Sequence, residues 1–230
     1  MTQAAAPQAL ALTIGEPAGI GPDITIAAWL KRRELDLPAF YLIGDTAAIA
    51  ARAQVLGVSI ATAEISAENA GSVFNDALPV VKTGIAATVK PGQPDGTSAP
   101  AAIASIRHAV ADVIAGRASA VVTNPIAKSV LYQAGFSHPG HTEFLAQLAA
   151  ATGGAVPHPV MMLWSPDLAV VPVTIHLPLR DAITQLNTDL IVKTARVVAA
   201  DLKARLGIAN PRLAISGLNP HAGEDGSLGT

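Results

Sequence analysis

Two histidines, His176 and His221, stand at equivalent places in the chain. Each follows an apolar run that reads as a β-strand and precedes a turn. His176 comes after AVVPVTI (169–175), and Pro178 then opens a helix whose first turn carries Arg180 and Asp181. His221 comes after RLAIS (212–216), within GLNPHAGEDGSLGT. In parallel α/β sheets ligands lie beyond the carboxyl ends of the strands, so both imidazoles are candidate ligands for a divalent metal. Asp181 and Glu224 are candidate supporting carboxylates that orient a ring through its second nitrogen. Imidazoles leave the charge of the ion uncompensated, which suits Lewis-acid polarisation of an anionic, oxygen-rich substrate. A polarised alcohol gives up hydride to a nicotinamide more readily, and the same ion holds the electrons released when a β-keto acid loses CO2. Spacing alone still favours histidines that merely pack or face solvent, because a catalytic metal site usually takes three protein ligands. No third strand-end histidine is present.

A second group is FSHPGHTEF (136–144), immediately ahead of the apolar helical pattern FLAQLAAAT. His141 or Thr142 is the expected N-cap. A helix start offering free N–H groups, a hydroxyl and an imidazole can take an anion or a substrate hydroxyl. Plain capping by Thr142 beside a bystander His141 explains the pattern equally well. Lys128, early in the helix expected to start at Pro125, opposes the helix dipole, which points toward an anion. A solvated surface lysine is the commoner case. His108 reads as a helix-packing residue, His158 as loop surface, and Met161 and Met162 as core.

The elements that would position these groups follow an α/β pattern. Strands are expected at 9–14, 39–44, 59–63, 78–82, 119–122 and 212–216, with a hairpin about Ser165-Pro166-Asp167. Helices are expected from Pro22 to Leu30, after Asp45 to a stop at Gly57, and from Thr97 or Ser98 to Gly116. Two more run over 179–186 and from an Asn187 or Thr188 cap to Gly207. The loop GEPAGIGPD (15–23) invites a dinucleotide fingerprint. Its spacing, Gly15-x3-Gly19-x-Gly21, is not G-x-G-x-x-G, and it has no Lys-Ser/Thr of a P-loop, so a Rossmann assignment fails. A tight strand-to-helix turn and a cleft-lining loop both remain open.

The chain of 230 residues is 50% hydrophobic, 14% charged and only 3% aromatic, with a net charge of −2. A sizeable core of Ala, Val, Leu and Ile follows. No basic run exists to neutralise phosphates, which argues against nucleic acid. Without cysteine there is no disulfide framework or thiolate metal site. MTQAAAPQ lacks a basic n-region, and no uncharged apolar run approaches membrane-spanning length, so a soluble, cytoplasmic protein without a membrane partner is expected.

GEPAGIGPD (15–23), VVTNPIAK (121–128), GHTEF (140–144), TIHLPLRD (174–181) and GLNPHAGEDGSLG (217–229) occur in this order. Together they resemble the 4-hydroxythreonine-4-phosphate dehydrogenase family of pyridoxal phosphate biosynthesis, from about residue 10 to the chain end. The resemblance implies a three-layer α/β/α fold of isocitrate/isopropylmalate-dehydrogenase-like type, two lobes around a cleft, with the C-terminal part missing. Residues 1–125 would form the first lobe and 126–230 an incomplete second. It further implies a homodimer and NAD-dependent oxidation of the 3-hydroxyl of 4-phosphohydroxy-L-threonine, followed by loss of CO2 to give 3-amino-2-oxopropyl phosphate. Carried over by motif, His176 and His221 would bind a divalent metal (zinc, magnesium or cobalt), and His141 and Thr142 the phosphorylated substrate. Relatives acting on threonate or erythronate 4-phosphate, or on a dihydrodiol carboxylate, make substrate identity less fixed than reaction type. The family's third histidine ligand and its phosphate-binding side chains lie beyond Thr230. The 230 residues alone are therefore expected to bind metal weakly and not to turn over. A truncated homologue that only binds a small anion is the rival from another class. An acyltransferase of the same broad fold is a third reading, against which the histidine pair counts.

Overall fold

Short apolar runs buried on both sides are what a parallel sheet between two helical layers demands. Three such runs, β1 (Leu10–Thr13), β2 (Phe40–Gly44) and β4 (Leu78–Lys82), with β3 (Thr62–Glu64) and β5 (Val121–Val122), form one all-parallel sheet in the order β3-β4-β2-β1-β5. The structure, a computed structural model, describes residues 8–87, 89–138, 140–150, 153–219, 221 and 223–227. The expected continuation of the helix pattern through 151–152, Pro139 of FSHPGHTEF, and Pro220, Ala222 and residues 228–230 of GLNPHAGEDGSLGT lie outside these residues.

Side chains alternate across the pleat of β2. Phe40 and Leu42 pack with Leu12, Ile14 and Leu78 under α1 (Gly21–Leu30) and α2 (Thr46–Val55), which contribute Ile26, Trp29, Ile49 and Ala53. Tyr41 and Ile43 point the other way, against Ala70 of α3 (Ala70–Val73) and Ala109 of α4 (Ala99–Ile114). Helices thus cover both faces of the sheet, in the expected α/β/α layering. A third cluster joins α4 to α5 (Lys128–Gln133) and α6 (His141–Ala150) through Ala102, Ile106, Leu131, Phe136 and Phe144.

The chain separates into two compact units, Met1–Pro157 and His158–Thr230. In the second, β6 (Leu163–Trp164) and β7 (Ala169–Val170) form the expected antiparallel hairpin, closed by Ser165 N–H donating to Leu168 O (2.9 Å). Helices α7 (Leu179–Gln185) and α8 (Thr188–Ala204) follow, and Asn187 caps α8 by accepting from Leu190 N–H at 2.9 Å. Thr194 of α8 is buried against His158, whose Nε2 lies 3.2 Å from the threonine hydroxyl. His158 therefore packs on a helix rather than sitting free in a loop. No described helix is long and apolar enough to cross a membrane.

Several expected boundaries shift. Residues 171–175 continue past β7 without a strand, and 212–216 form none. A strand is completed by its neighbour's ladder; no described strand pairs with 212–216, and Leu213 and Ile215 stay exposed. Helix α5 begins at Lys128 rather than Pro125, because Pro125 O accepts from Glu16 N–H (2.8 Å) and Ala127 remains extended. His141 and Thr142 lie inside the first turn of α6 rather than capping it.

Candidate functional site

From β1 the chain moves to β2 on one flank of the sheet, and it later returns to β5 on the other. Strand order therefore reverses between β1 and β5, the position where ligand crevices open in doubly wound sheets. Two loops meet at the carboxyl ends of these strands, GEPAGIGPD and TNP (123–125), and they are locked together. Asn124 donates through Nδ2 to Thr13 O (2.8 Å) and Thr25 Oγ1 (2.9 Å), and its N–H donates to Thr13 Oγ1 (3.1 Å). All three side chains are buried. A Cβ on Gly15, which has φ +69°, would stand 2.5 Å from Pro125 O, and one on Gly21 would stand 2.5 Å from Ile14 O. These glycines allow backbone to touch backbone. Their positions serve the tight turn.

The loop is braced further by Glu16. This buried carboxylate accepts from Ala18 N–H (3.0 Å) and from the Ser98 hydroxyl (2.9 Å). Ser98 precedes α4 as expected, but its hydroxyl serves Glu16 and Asp95 O rather than capping the helix. Arg52 of α2 binds Gly19 O and pairs with Asp23 at 2.8 Å. Gly92 N–H donates to Ala18 O (2.8 Å), which seats the loop before α4 on the same turn. Beside it, the ends of β2 and β4 open a small cavity of about 160 Å³ lined by Asp45, Lys82, Gly84 and Ile85.

The TNP loop leads into α5, whose first residue is Lys128. Its side chain extends over the start of α6: a Cβ at Gly140 would lie 3.8 Å from Lys128 Nζ and 3.6 Å from Glu143 Oε2. His141 begins the helix. Its Nε2 and Glu143 Oε2 are both sealed from solvent without a hydrogen-bond partner. Burial, and then the charge of Lys128, hold the His141 imidazole below the usual histidine range. His138 and Phe136 each pack on the Phe144 ring at 5.0 Å, Phe136 edge-on, and close the apolar side of this turn. The sequence had singled out Lys128, His141 and Thr142. It gave no role to Glu143, whose orphaned oxygen emerges only once α5 and α6 are packed.

In the second unit His176 and His221 are both exposed. His176 occupies a left-handed conformation, φ +57°, six residues beyond the end of β7, and makes no hydrogen bond or ion pair with a described residue. His221 Nδ1 lies 2.6 Å from Glu224 Oε1, so a carboxylate already orients that ring and leaves Nε2 free. A carboxylate on the far nitrogen is the habitual companion of a metal-ligating histidine, and in that respect His221 fits a metal. Asp181 lies exposed in the first turn of α7. Among the described residues no three His, Asp or Glu side chains gather closely enough to hold an ion.

The sequence is 70% identical over 228 residues to a 4-hydroxythreonine-4-phosphate dehydrogenase of Bradyrhizobium diazoefficiens, covering 96% of this chain and 66% of that protein. It is 56% identical over 225 residues to the enzyme of the same name from Xanthobacter autotrophicus, covering 98% of this chain and 64% of the relative. The chain thus spans less than two thirds of the length of these relatives. The crystal structure of a 4-hydroxythreonine-4-phosphate dehydrogenase from Burkholderia phymatum superposes with a TM-score of 0.82 at 30% identity, over 98% of this chain and 67% of that one. Residues 36–230 match the family described as pyridoxal phosphate biosynthetic protein PdxA. The chain, with its parallel sheet and ordered motifs, belongs to the PdxA family.

Proposed function

We propose that the protein of which these residues form part oxidises and decarboxylates 4-phosphohydroxy-L-threonine to 3-amino-2-oxopropyl phosphate, with NAD and a divalent metal, in vitamin B6 biosynthesis. The observation that carries this is 70% identity, sustained over 228 residues, to a protein named for that dehydrogenase. In the reaction the alcohol C–H leaves as hydride and the O–H as a proton, giving a β-keto acid. The C–CO2 bond then breaks, and its electron pair passes into an enol that takes up a proton. When bound, NAD would accept the hydride, and zinc, magnesium or cobalt would polarise the alcohol oxygen and the later enolate.

The chain's own residues bind and orient. His176 and His221 would hold the ion, with Glu224 fixing the His221 ring. His141 and Thr142 would meet the substrate at the start of α6, where unpaired N–H groups and the helix dipole favour an anionic group. The locked GEPAGIGPD and TNP loops give α5 a fixed origin, so that Lys128 reaches α6 from a rigid base. A homodimer and a cytoplasmic location complete the proposal.

The test is NADH formation from 4-phosphohydroxythreonine, measured with the 230-residue chain and with the chain completed by the remaining third of the Bradyrhizobium relative. Turnover in the completed chain, abolished by His176→Ala and by His221→Ala, is the expected result. No turnover with this substrate in the completed chain, or turnover only with threonate or erythronate 4-phosphate, overturns the assignment.

A further inference from the structure

The unit His158–Thr230 has almost no interior. Val198 of α8 is the one large apolar side chain buried among its described residues, close to the buried Thr194 in the same helix. Its apolar residues are instead turned outward. In the β6–β7 hairpin, directly paired residues share a face. Leu163 and Val170 stand on one side, Trp164 and Ala169 on the other, and all four are exposed. A two-stranded hairpin with both faces in water is marginal by itself. A run apolar on both faces is what a strand between two layers requires. Helix α7 buries no residue, and its i, i+4 stripe of Leu179 and Ile183 is 76% and 56% exposed. Leu213 and Ile215 alternate along 212–216 at strand spacing, exposed and without a ladder partner among the described strands.

We propose that these surfaces are the docking face for the third of the family's length that this chain does not span, and that docking gives 212–216 its strand neighbour. Two observations select this occupant. The Burkholderia structure superposes on 98% of this chain but on only 67% of its own, so a third of that molecule lies outside the matched part. The Bradyrhizobium relative is covered to 66% and leaves a similar fraction. The second observation is that one hairpin displays apolar side chains on both faces. A second copy related by a two-fold axis meets its partner through one self-complementary patch, which covers one face of a hairpin and leaves the other wet. Further chain of the same polypeptide can layer on both. Apolar surface spread over a hairpin, a helix and an extended run, unlike a single exposed leucine, marks a region made to be covered. His221 follows 212–216 in the chain, so docking also fixes where that ring stands. Its use as a metal ligand rests on the proposed function; the docking does not.

The experiment compares the 230-residue chain with the chain completed by the remaining third of the Bradyrhizobium relative, both without substrate or NAD. Hydrogen exchange reads the amides of 212–216, and acrylamide quenching reads Trp164, isolated by subtracting the signal of Trp164→Phe. In the completed chain, exchange at 212–216 is expected to slow by about 10-fold or more. Quenching of Trp164 is expected to fall, and its emission to move to shorter wavelength. Ile215→Asp is expected to leave the urea midpoint of the 230-residue chain in place, since that side chain is exposed there, and to lower the midpoint of the completed chain. Equal exchange and quenching in the two chains, or an equal effect of I215D in both, overturns the proposal. Protection that grows with the concentration of the 230-residue chain assigns the face to a second copy and overturns it as well. Because no turnover is measured, this outcome is independent of the NADH assay.

Discussion

The hydrogen bond between Tyr41 and Asp112 offers the sharpest quantitative test of how the first unit is held together. Tyr41 lies in the middle of β2 and is wholly buried, and its hydroxyl donates to Asp112 Oδ2 at 2.6 Å. The Asp112 side chain, 1% exposed on α4, also accepts from Arg117 at 2.7–2.9 Å, and His108 Nε2 stands 3.6 Å away. A hydrogen bond to a charged group contributes about 1.5–3 kcal/mol, so Tyr41→Phe should cost that much. Asp112→Ala removes the same bond and strands the phenol in the core, and should cost roughly 3–5 kcal/mol. The double variant should cost less than the sum, with a coupling of about 1.5–3 kcal/mol.

Urea unfolding followed by tryptophan fluorescence measures these values. Trp29 is buried in the first unit and Trp164 is 67% exposed in the second, so a Trp164→Phe background confines the signal to Trp29. The same site makes a prediction in pH. Burial, the bond to Asp112 and the charge of that carboxylate push the Tyr41 phenol far above its ordinary range. Above about pH 10 an unfolded tyrosine gives up its proton while Tyr41 keeps its own. The contribution is full below that pH and is lost as pH rises, at about 1.4 kcal/mol per unit. Subtracting the Y41F curve from wild type should isolate this slope. A Y41F cost below about 0.5 kcal/mol, together with zero coupling to Asp112, would refute the assignment of stability to this bond.

Gly21→Ala should cost about 1–3 kcal/mol, because its new methyl meets Ile14 O and the locked loops leave no room; an unchanged urea midpoint would contradict that. Asn187→Ala removes the cap of α8 and should cost about 1 kcal/mol, read as a loss of helical circular dichroism on mild heating. Glu224→Gln should weaken zinc binding about 10–100-fold if His221 is a ligand, measured by calorimetry on the completed chain, with equal affinity as the result that removes Glu224 from the site.

Local chemistry made parts of this fold legible. Asp45 before α2, Gly57 after it and Asn187 before α8 are signals that act within a few residues, and each stands where its side chain or φ requires. The limits Leu78–Lys82 were readable for a similar reason, an apolar run between turn residues. Residues 212–216 carry the same kind of pattern and form no strand, since β-structure depends on a neighbour that sequence alone does not supply. Pro125 is a good first residue for a helix, yet its carbonyl is committed to Glu16, more than a hundred residues earlier. The site divides along the same line. His141 and Thr142 were visible as a motif, whereas Glu143 gained meaning only when α5 laid Lys128 across Gly140.

The interlock of Gly15 and Glu16 with Asn124 and Pro125 also constrains how the molecule is made. Synthesis runs from the N-terminus, and the turn after the first strand emerges from the ribosome long before the segment that clamps it. Until that segment arrives, Thr13 and Thr25 lack their amide partner and Gly15 has nothing to pack against. The first strand of the chain, β1, therefore matures late, on a long-range closure of the sort that slows folding. A nascent chain arrested before Asn124 should remain protease-sensitive across its opening loop, and one arrested well beyond it should not.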